Sequence, residues 1–342
     1  MLIIDGIIYS LQKHGGISVY FNEIISRLNL IDFQYEAIIY DESFSRCDKN
    51  NLNIEFRRSR LLERYRSCDV KNSAKVFHSS YYRVPSRVVP LVTTVHDFTY
   101  EMFFKGIPLI IHRRQKYDAI RRSQAIICVS ENTKRDLLHY LPDINEKIVY
   151  VIPNGVGSAF YPIVPSYKTS NQGSYVLYVG ARHSYKNFTI LVDALSVMKD
   201  LSLVCVGGGL MTKIESSLIS NALPNRFTHY PYVPDSELNK LYNDAFALVY
   251  PSSYEGFGIP PLEAMRAGCP VIALNCSSIP EVTGNAALLL GEASSGAIKT
   301  ALNLLAESSQ RSLFRERGFL QSAKFSWDKT FKSTLDIYRL FQ

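Results

Sequence analysis

The sequence has few cysteines and no cluster of metal-binding side chains. It contains six cysteines in 342 residues without a Cys-x-x-Cys pair, and its seven histidines are scattered along the chain. A zinc site needs closer spacing of its ligands than this. Because Cys128, Cys205 and Cys269 lie in or beside apolar runs typical of strands, we expect buried, reduced and unreactive thiols.

Long apolar runs are also missing from the sequence. No segment approaches the roughly 18 to 20 consecutive apolar residues of a membrane-spanning helix, and residues 1–6 are typical of a first strand rather than a signal peptide. Apolar residues make up 46% and charged residues 20% of the chain, which excludes a disordered or fibrous protein. We expect a cytoplasmic protein that at most rests on the inner face of the plasma membrane.

Positive charge is concentrated in the first half of the sequence. The net charge is +7, and the segment from Arg57 to Arg87 holds nine basic residues against two acids, Glu63 and Asp69. The nine are Arg57, Arg58, Arg60, Arg64, Arg66, Lys71, Lys75, Arg83 and Arg87. A second basic group on a predicted helix comprises Arg113, Arg114, Lys116, Arg121 and Arg122. Such groups can face nucleic acid, an anionic membrane or an acidic substrate, or form a solvated surface.

The spacing of apolar residues predicts alternating strands and helices. The predicted strands are 2–4, 35–40, 75–78, 91–95, 125–129, 148–152, 175–180, 201–206, 246–250, 270–274 and 286–290. The predicted helices are 17–28, 109–121, 131–140, 187–199, 211–220, 236–242, 259–267 and 326–341. This alternation favours α/β domains with parallel sheets covered on both faces.

The stretch 153–173 carries Pro, Gly, Ser and Asn with little periodicity, which indicates a linker. We therefore predict two Rossmann-like, doubly wound domains, residues 1–165 and 166–325, with the functional cleft between them. The amphipathic C-terminal helix, within residues 326–342, is predicted to dock back on the first domain.

A dense group of candidate residues lies at 250–270. The segment follows a predicted strand and opens a helix at Ile259, so the backbone N–H groups of Phe257, Gly258 and Ile259 lie at the positive helix end. That arrangement suits the binding of a diphosphate. Glu255 precedes the helix and Glu263 lies on it; the neighbouring glycines and the preceding strand favour a functional carboxylate pair over two solvated residues.

Three other segments follow predicted strands and carry candidate residues. Arg182 and Lys186 could hold a diphosphate, although solvated surface cations explain them equally well. Gly15 and Gly16 permit close approach of a ligand to the backbone, but an ordinary turn is the commoner reason for such a pair. His96 lies at the carboxyl end of a strand, where a lone histidine is more often structural than catalytic.

Together these segments resemble the large family-four group of retaining glycosyltransferases, which has the GT-B fold. Residues 255–271 match the family pattern Glu-Gly-Phe-Gly-x-Pro-x-x-Glu-Ala-x-x-x-Gly-x-Pro-Val throughout. Residues 151–156 and 128–134 match further segments common in the family. One departure concerns the stretch before Pro280, which is often rich in glycine but reads Cys-Ser-Ser-Ile at 276–279.

The resemblance implies roles for the candidates in donor binding. Arg182 and Lys186 would bind the donor diphosphate, and Glu263 would accept hydrogen bonds from the ribose. Glu255 would contact the hydroxyls of the transferred sugar, as would the backbone of Phe257 and Gly258. From the first domain, Gly15 or Gly16 would approach the phosphates, and His96 would lie against the sugar and the acceptor near the reacting carbon.

The implied reaction transfers a hexose or deoxyhexose from a nucleotide-diphosphate sugar to a glycan or lipid-linked acceptor, in bacterial O-antigen or capsule polysaccharide synthesis. Retention needs no protein nucleophile if the acceptor attacks from the leaving-group face and a phosphate oxygen takes its proton. The protein then positions the reactants and stabilises the departing diphosphate. Since no Asp-x-Asp occurs in the chain, we expect no essential metal and no cofactor. The base, the sugar and the linkage stay open.

Three other functions compete with this one. A sugar-nucleotide epimerase can share the architecture but does not account for the full glutamate motif. A non-catalytic sugar-nucleotide-binding relative is disfavoured because all five candidate side chains are present: His96, Arg182, Lys186, Glu255 and Glu263. A nucleic-acid binder would interleave aromatics with basic residues on one exposed face. Tyr65, Tyr81 and Tyr82 near the basic segment fit this in part, but we expect no nucleic acid partner.

Overall fold

The structure is a computed structural model that describes residues 1–12, 15–40, 53–163 and 175–341. The strands are β1 Leu2–Asp5, β2 Tyr35–Ile39, β3 Ile54–Phe56, β4 Val76–Ser79, β5 Leu91–Val95, β6 Ala125–Cys128, β7 Val149–Val151, β8 Tyr175–Val179, β9 Ser202–Val206, β10 Phe227–Tyr230, β11 Ala247–Tyr250, β12 Val271–Leu274 and β13 Ala287–Leu290. The helices are α1 Ile8–Leu11, α2 Gly16–Leu28, α3 Thr99–Phe103, α4 Ile107–Arg122, α5 Glu131–Tyr140, α6 Phe188–Ser196, α7 Lys213–Ala222, α8 Asp235–Asp244, α9 Ile259–Ala267, α10 Ile279–Thr283, α11 Ser295–Ala306, α12 Ser308–Ser322 and α13 Trp327–Arg339. None of these helices is long and apolar enough to cross a membrane.

The chain forms two compact units. Unit 1 comprises Met1–Gly155 and Trp327–Gln342, and unit 2 comprises Val156–Ser326. Residues 156–163 are tied to unit 2, because the Tyr161 N–H donates to the side chain of Asn239 at 3.1 Å. The predicted boundary between residues 165 and 166, and most of the second half of the predicted linker 153–173, lie outside the described residues.

Unit 1 contains a parallel sheet of seven strands in the order β3-β2-β1-β4-β5-β6-β7. Strand β1 lies between β2 and β4, with Leu2 in register with Tyr35 and Val76. The last helix, α13, packs on α2 of this unit; the rings of Trp327 and Tyr20 are 6.2 Å apart. Unit 1 thus combines a doubly wound sheet with a helix that comes from the far end of the chain.

Unit 2 contains a parallel sheet of six strands in the order β10-β9-β8-β11-β12-β13. Val176 and Tyr178 of β8 pack in one core with Leu191 of α6, while Leu177 between them points to the opposite face and is equally buried. Burial on both faces explains why these strands are continuous apolar runs. In each unit the strand order reverses beside the first strand, and ligands of open α/β sheets bind at such reversals.

The predicted fold class, two Rossmann-like α/β units, is confirmed. Each predicted strand is present with its ends within one residue of the prediction. The two strands that the sequence pattern missed, β3 and β10, each lie at one edge of their sheet. Edge strands have only one neighbour, and the residues of β3 and β10 are half-buried or exposed, so their sequences lack a continuous apolar run.

The buried thiols expected from the sequence are also found. Cys128, Cys205 and Cys269 are buried and unpaired, and burial raises the pKa of Cys205 to about 11 and that of Cys269 to about 12. These thiols are therefore protonated and poor nucleophiles at physiological pH. Cys47 lies outside the described residues.

Candidate functional site

The candidate residues of unit 2 lie on loops that follow four strands of its sheet. Arg182 and Lys186 follow β8, a run of three glycines follows β9, Glu255 follows β11, and Ser277 follows β12. Because the strands are parallel, their carboxyl ends meet at one edge. Strands β8 and β11 are neighbours at the reversal of the strand order, so the loops with Lys186 and Glu255 lie side by side.

Lys186 and Glu255 form an ion pair across this reversal, with the Lys186 Nζ donating to Glu255 Oε1. Their side chains are only 12% and 14% exposed. The two loops are tied further by Asn187, whose Nδ2 donates to the Pro251 carbonyl at 2.8 Å. The family resemblance implies that Lys186 binds the phosphates and Glu255 the sugar, and the structure places these two residues in direct contact.

Arg182 lies on the loop after β8, as predicted, and its guanidinium group is surrounded by acceptors of neighbouring segments. Its Nε donates to Glu215 at 2.8 Å, its Nη1 donates to the Gly207 carbonyl, and its Nη2 lies within 3.3 Å of the carbonyls of residues 208–210. The side chain is only 3% exposed. Arg182 therefore holds the loop after β9, and its binding of the donor diphosphate stays a prediction.

The glycines of that loop make this arrangement of Arg182 possible. Gly207, Gly208 and Gly209 all have positive φ angles, of 92°, 75° and 69°. A Cβ added to Gly208 would lie 2.5 Å from Arg182 Nη1. Only glycine allows successive carbonyls to turn toward the guanidinium at this distance. The run of three glycines was the sequence signal for this loop, and the sequence analysis did not use it.

The segment between β11 and α9 presents backbone donors, as predicted. Helix α9 begins at Ile259 after Gly258, whose φ is 109°, and continues with two prolines that have no N–H to donate. Within the described residues, the N–H groups of Phe257, Gly258 and Ile259 donate to no acceptor. These three N–H groups and the positive end of the helix form an arrangement suited to an anion.

Two serines hold this segment in place, and the sequence analysis did not identify them. The Glu255 N–H donates to Ser277 Oγ at 3.0 Å, and Ser278 Oγ lies 2.9 Å and 2.7 Å from the carbonyl oxygens of Glu255 and Phe257. Ser277 has a φ of 50°, a conformation that favours glycine. These two serines therefore bind the Glu255 segment through their hydroxyl groups.

Glu263 lies on α9 beside Tyr242, a further residue that was not identified from the sequence. The Tyr242 hydroxyl of α8 donates to Glu263 Oε2 at 2.9 Å. Burial raises the pKa of Glu263 to about 7, and the hydrogen bond from Tyr242 opposes part of that rise. Glu263 is therefore poised to change its charge near neutral pH. Nothing in the local sequence connects Tyr242 with Glu263, since 21 residues separate them.

The candidates of unit 1 lie near the reversal of its own strand order. His96 follows β5, and its ring packs edge-on against Tyr20 with centroids 5.4 Å apart. Burial lowers the pKa of His96 to about 4, so the imidazole is neutral at physiological pH. Its Nε2 is buried and has no hydrogen-bond partner in the part of the chain that the structure describes. Gly15 and Gly16 lie at the first turn of α2, where Ser18 Oγ accepts the Gly15 N–H at 3.1 Å.

Lys116 corrects the prediction of a second exposed basic group. It is completely buried in α4, donates to the Asp97 carbonyl at 2.6 Å and pairs with Glu101 at 3.2 Å. Its Nζ lies 3.4 Å from the centroid of the Phe98 ring. Lys116 therefore holds the turn that follows β5, which includes His96, and does not contribute to the surface.

The basic segment from Arg57 to Arg87 is not one exposed patch. Arg83 is fully buried, with Nη1 2.9 Å from Asp5 Oδ1 and Nη2 2.7 Å from Glu63 Oε1. Arg57, Arg60 and Lys71 pair with the carboxylates of Glu55, Glu63 and Glu36. The interpretation from the sequence treated these charges as free, because a sequence does not show which acids lie next to them in space. Arg58, Arg64, Arg66, Lys75 and Arg87 have no carboxylate partner among the described residues.

Two family models match this chain, one over each unit. The model of the glycosyl transferases group 1 matches residues 163–319, and that of glycosyltransferase family 4 matches residues 37–159. Among curated proteins, the O-antigen chain mannosyltransferase B of Escherichia coli is 29% identical over 284 residues, which are 78% of this chain and 74% of that protein. The O-antigen chain mannosyltransferase RfbU of Salmonella typhimurium is 31% identical over 57% of this chain and 55% of its own length.

Solved structures share the fold over nearly the whole chain. The sucrose-phosphate synthase of Thermosynechococcus elongatus has a TM-score of 0.80 at 18% identity and covers 99% of this chain and 98% of its own. Anabaena HepE, solved with UDP and glucose, has a TM-score of 0.78 at 15% identity and covers 99% of both chains. Since glycosyltransferase models match both units and these structures have the same fold, the chain belongs to the family-four glycosyltransferases with the GT-B fold.

Proposed function

We propose that this protein is a retaining hexosyltransferase of bacterial O-antigen or capsule synthesis, which takes a hexose or deoxyhexose from a nucleotide-diphosphate sugar. The contact between Lys186 and Glu255 at the reversal of the strand order carries the proposal. Two relatives named as O-antigen mannosyltransferases support mannose as the first sugar to test. The UDP in the HepE structure supports a nucleotide-sugar donor.

The donor diphosphate would bind beside Lys186 and the first turn of α9. There the N–H groups of Phe257, Gly258 and Ile259 are available as donors, and the ammonium of Lys186 adds a full positive charge. Arg182 would act on the donor indirectly, because its hydrogen bonds to the carbonyls of residues 207–210 fix the neighbouring loop.

Sugar transfer in this site needs no protein nucleophile. The acceptor hydroxyl would attack the anomeric carbon from the face that the diphosphate leaves, while the bond from carbon to the phosphate oxygen breaks. Negative charge then develops on the diphosphate, where Lys186 and the helix end stabilise it most strongly. A phosphate oxygen takes the proton of the acceptor. Glu255 would contact the sugar hydroxyls, and the neutral His96 of unit 1 would accept a hydrogen bond beside the reacting carbon.

The reaction is tested by product analysis with a panel of GDP- and UDP-sugars and a lipid-linked glycan acceptor. The expected products are the free nucleoside diphosphate and a glycan extended by one sugar whose anomeric configuration, measured by NMR, equals that of the donor. Turnover in the presence of EDTA should equal turnover without it, since we propose no essential metal. An inverted product, an epimerised donor or no product with any donor would contradict the proposal.

Glu263 provides a prediction about pH. If its carboxylate accepts the ribose hydroxyls, it must be ionised, and its pKa of about 7 means that acid removes the binding form. The donor Kd of the wild-type protein should therefore be about tenfold weaker at pH 6 than at pH 8. Calorimetric titration with the intact sugar nucleotide measures this.

A matched pair of variants isolates the carboxylate responsible. Glu263→Gln should bind the donor weakly at both pH values, while Glu237→Gln, on the exposed surface of α8, should keep the wild-type pH dependence. A Glu263→Gln protein that retains the wild-type slope would show that another group titrates.

We also propose that the enzyme works at the inner face of the plasma membrane. Four of the original nine are exposed and have no carboxylate partner among the described residues, so they remain available to attract anionic lipid: Arg58, Arg66, Lys75 and Arg87. The attraction fades beyond a Debye length of about 8 Å at physiological salt. Sedimentation with phosphatidylglycerol-containing vesicles should fall steeply with salt, and phosphatidylcholine vesicles should bind little. Equal binding to both would leave these charges as a solvated surface.

A further inference from the structure

A groove on unit 1 lies between α4 and the segments 65–67 and 82–84. Its volume of about 750 Å³ falls in the range of ligand-binding pockets, about 300–1,000 Å³. Its walls are unusually rich in arginine. The arginines at its surface are Arg66, Arg113, Arg114, Arg121 and Arg122.

Three of these guanidinium groups lack a carboxylate partner. Arg121 pairs with Asp143 and Arg122 pairs with Asp118. Arg66, Arg113 and Arg114 have no such partner within residues 1–12, 15–40, 53–163 and 175–341. A cluster of uncompensated guanidinium groups attracts an anion, and their planar forks match the paired oxygens of phosphate groups. The positive charge of the groove therefore favours a ligand whose phosphate groups carry more than one negative charge.

Apolar side chains on the same helix line the groove next to the arginines. Ile110 and Ile111 belong to the lining and are 60% and 43% exposed. Ile107, one turn earlier on α4, is 71% exposed. Because Ile107, Ile110 and Ile111 are three and four residues apart, they lie next to one another on one face of α4, and contiguous exposed apolar side chains often mark a binding site. The groove thus combines a diphosphate-binding wall with an apolar edge, which suits an amphiphilic ligand.

The position of the groove is fixed by contacts of α4 with the rest of unit 1. The Gln115 side chain donates to the Arg64 carbonyl at 2.7 Å and joins α4 to the segment before 65–67. On the inner side of α4, Lys116 lies 5.9 Å from the ring of Tyr82, which lines the groove. The same Lys116 donates to the carbonyl of Asp97, the residue after His96. One layer of side chains therefore separates the groove from the turn that holds His96.

We propose that this groove binds the diphosphate of a prenyl-diphosphate-linked acceptor, with Arg66, Arg113 and Arg114 on the phosphates and the prenyl chain against Ile110 and Ile111. The proposal rests on the proposed function, because it assigns a place to the lipid end of the acceptor. The diphosphate distinguishes this ligand from a membrane phospholipid, which carries one phosphate between lipid and headgroup.

Binding of farnesyl diphosphate, a short and soluble prenyl diphosphate, tests the site in the full chain. The variant R66Q/R113Q/R114Q should bind it about 100-fold more weakly than the wild type, because charge-assisted hydrogen bonds to both phosphates are lost. The control R58Q/K75Q/R87Q removes the same charge from the same unit outside the groove and should bind it within about twofold of the wild type. Inorganic pyrophosphate should bind about tenfold more weakly than farnesyl diphosphate, and I110S/I111S should abolish that difference.

The outcomes distinguish binding in the groove from general electrostatic attraction. They also distinguish a failure of this inference from a failure of the proposed function. Equal loss of farnesyl diphosphate binding in both triple variants, or equal binding of pyrophosphate and farnesyl diphosphate by the wild type, would overturn the inference. So would displacement of farnesyl diphosphate by a single-stranded oligonucleotide at the same phosphate concentration. Sugar transfer to a short soluble glycan should be unchanged in R66Q/R113Q/R114Q. If that transfer occurs and the groove binds nothing, this inference fails while the proposed function stands; if the groove binds and no donor is used, the reverse holds.

Discussion

Replacing Lys186 with methionine is expected to lower kcat by about 100- to 1,000-fold, the range observed when one preorganised charge-stabilising donor is removed. Lys186 is nine-tenths buried beside Glu255, so solvent screens its charge poorly. Water in the place of the ammonium group would stabilise the diphosphate charge less well. The effect should fall mainly on kcat, because the charge on the departing diphosphate is greatest in the transition state. Steady-state kinetics with the identified donor measures it.

The partner and a distant lysine supply the controls for this substitution. Lys199→Met removes an exposed lysine of unit 2 and should leave kcat unchanged. Glu255→Gln should lower kcat as well. In the double variant with Lys186→Met, the increase in activation free energy should be smaller than the sum of the two single increases by about 0.5–3 kcal/mol. Wild-type turnover in Lys186→Met, or strict additivity of the two increases in activation free energy in the double variant, would show that the ion pair has no role in catalysis.

Replacing Arg83 with methionine is expected to lower the free energy of unfolding of unit 1 by about 3–5 kcal/mol, the usual cost of removing one partner from a buried ion pair. Asp5 and Glu63 would then remain in the core without their counterion. Because Trp327 is the single tryptophan and is buried in α13 of unit 1, its fluorescence during urea denaturation reports on this unit. Arg58→Met, at an exposed position without a carboxylate partner, should unfold like the wild type.

The loss of stability in Arg83→Met should be smaller in acid. Burial already raises the pKa of Asp5 to about 6 in the presence of Arg83, and losing the guanidinium removes an influence that lowers it. A carboxyl whose folded pKa lies above its unfolded value disfavours folding as the pH rises, so protonation at pH 5 relieves the penalty that is fully present at pH 8. Equal urea midpoints for wild type and Arg83→Met at pH 8 would mean that the ion pairs of Arg83 with Asp5 and Glu63 contribute nothing to stability.

The sequence predicted a structural element well where the residues of one continuous segment carry its whole pattern. The buried strands β1, β5 and β8 are continuous apolar runs because helices cover both faces of each sheet, and their bounds were predicted within one residue. The segment from β11 into α9 was equally clear, because its glycines, prolines and Glu255 are contiguous. The short edge strands β3 and β10 were missed because partial exposure leaves no apolar run to detect.

The sequence by itself thus determined two α/β units, a glycosyltransferase motif and the candidates Lys186, Glu255 and Glu263. Only the tertiary structure decided what surrounds the charged groups. Arg182 is enclosed by carbonyls more than 20 residues away, Arg83 reaches Asp5 across 78 residues, and the carboxylate of Glu263 is met by Tyr242 of another helix. A residue's charge can be read from its type. Its burial and partners depend on segments that come together only when the chain folds, and these set the pKa, the accessibility and the role.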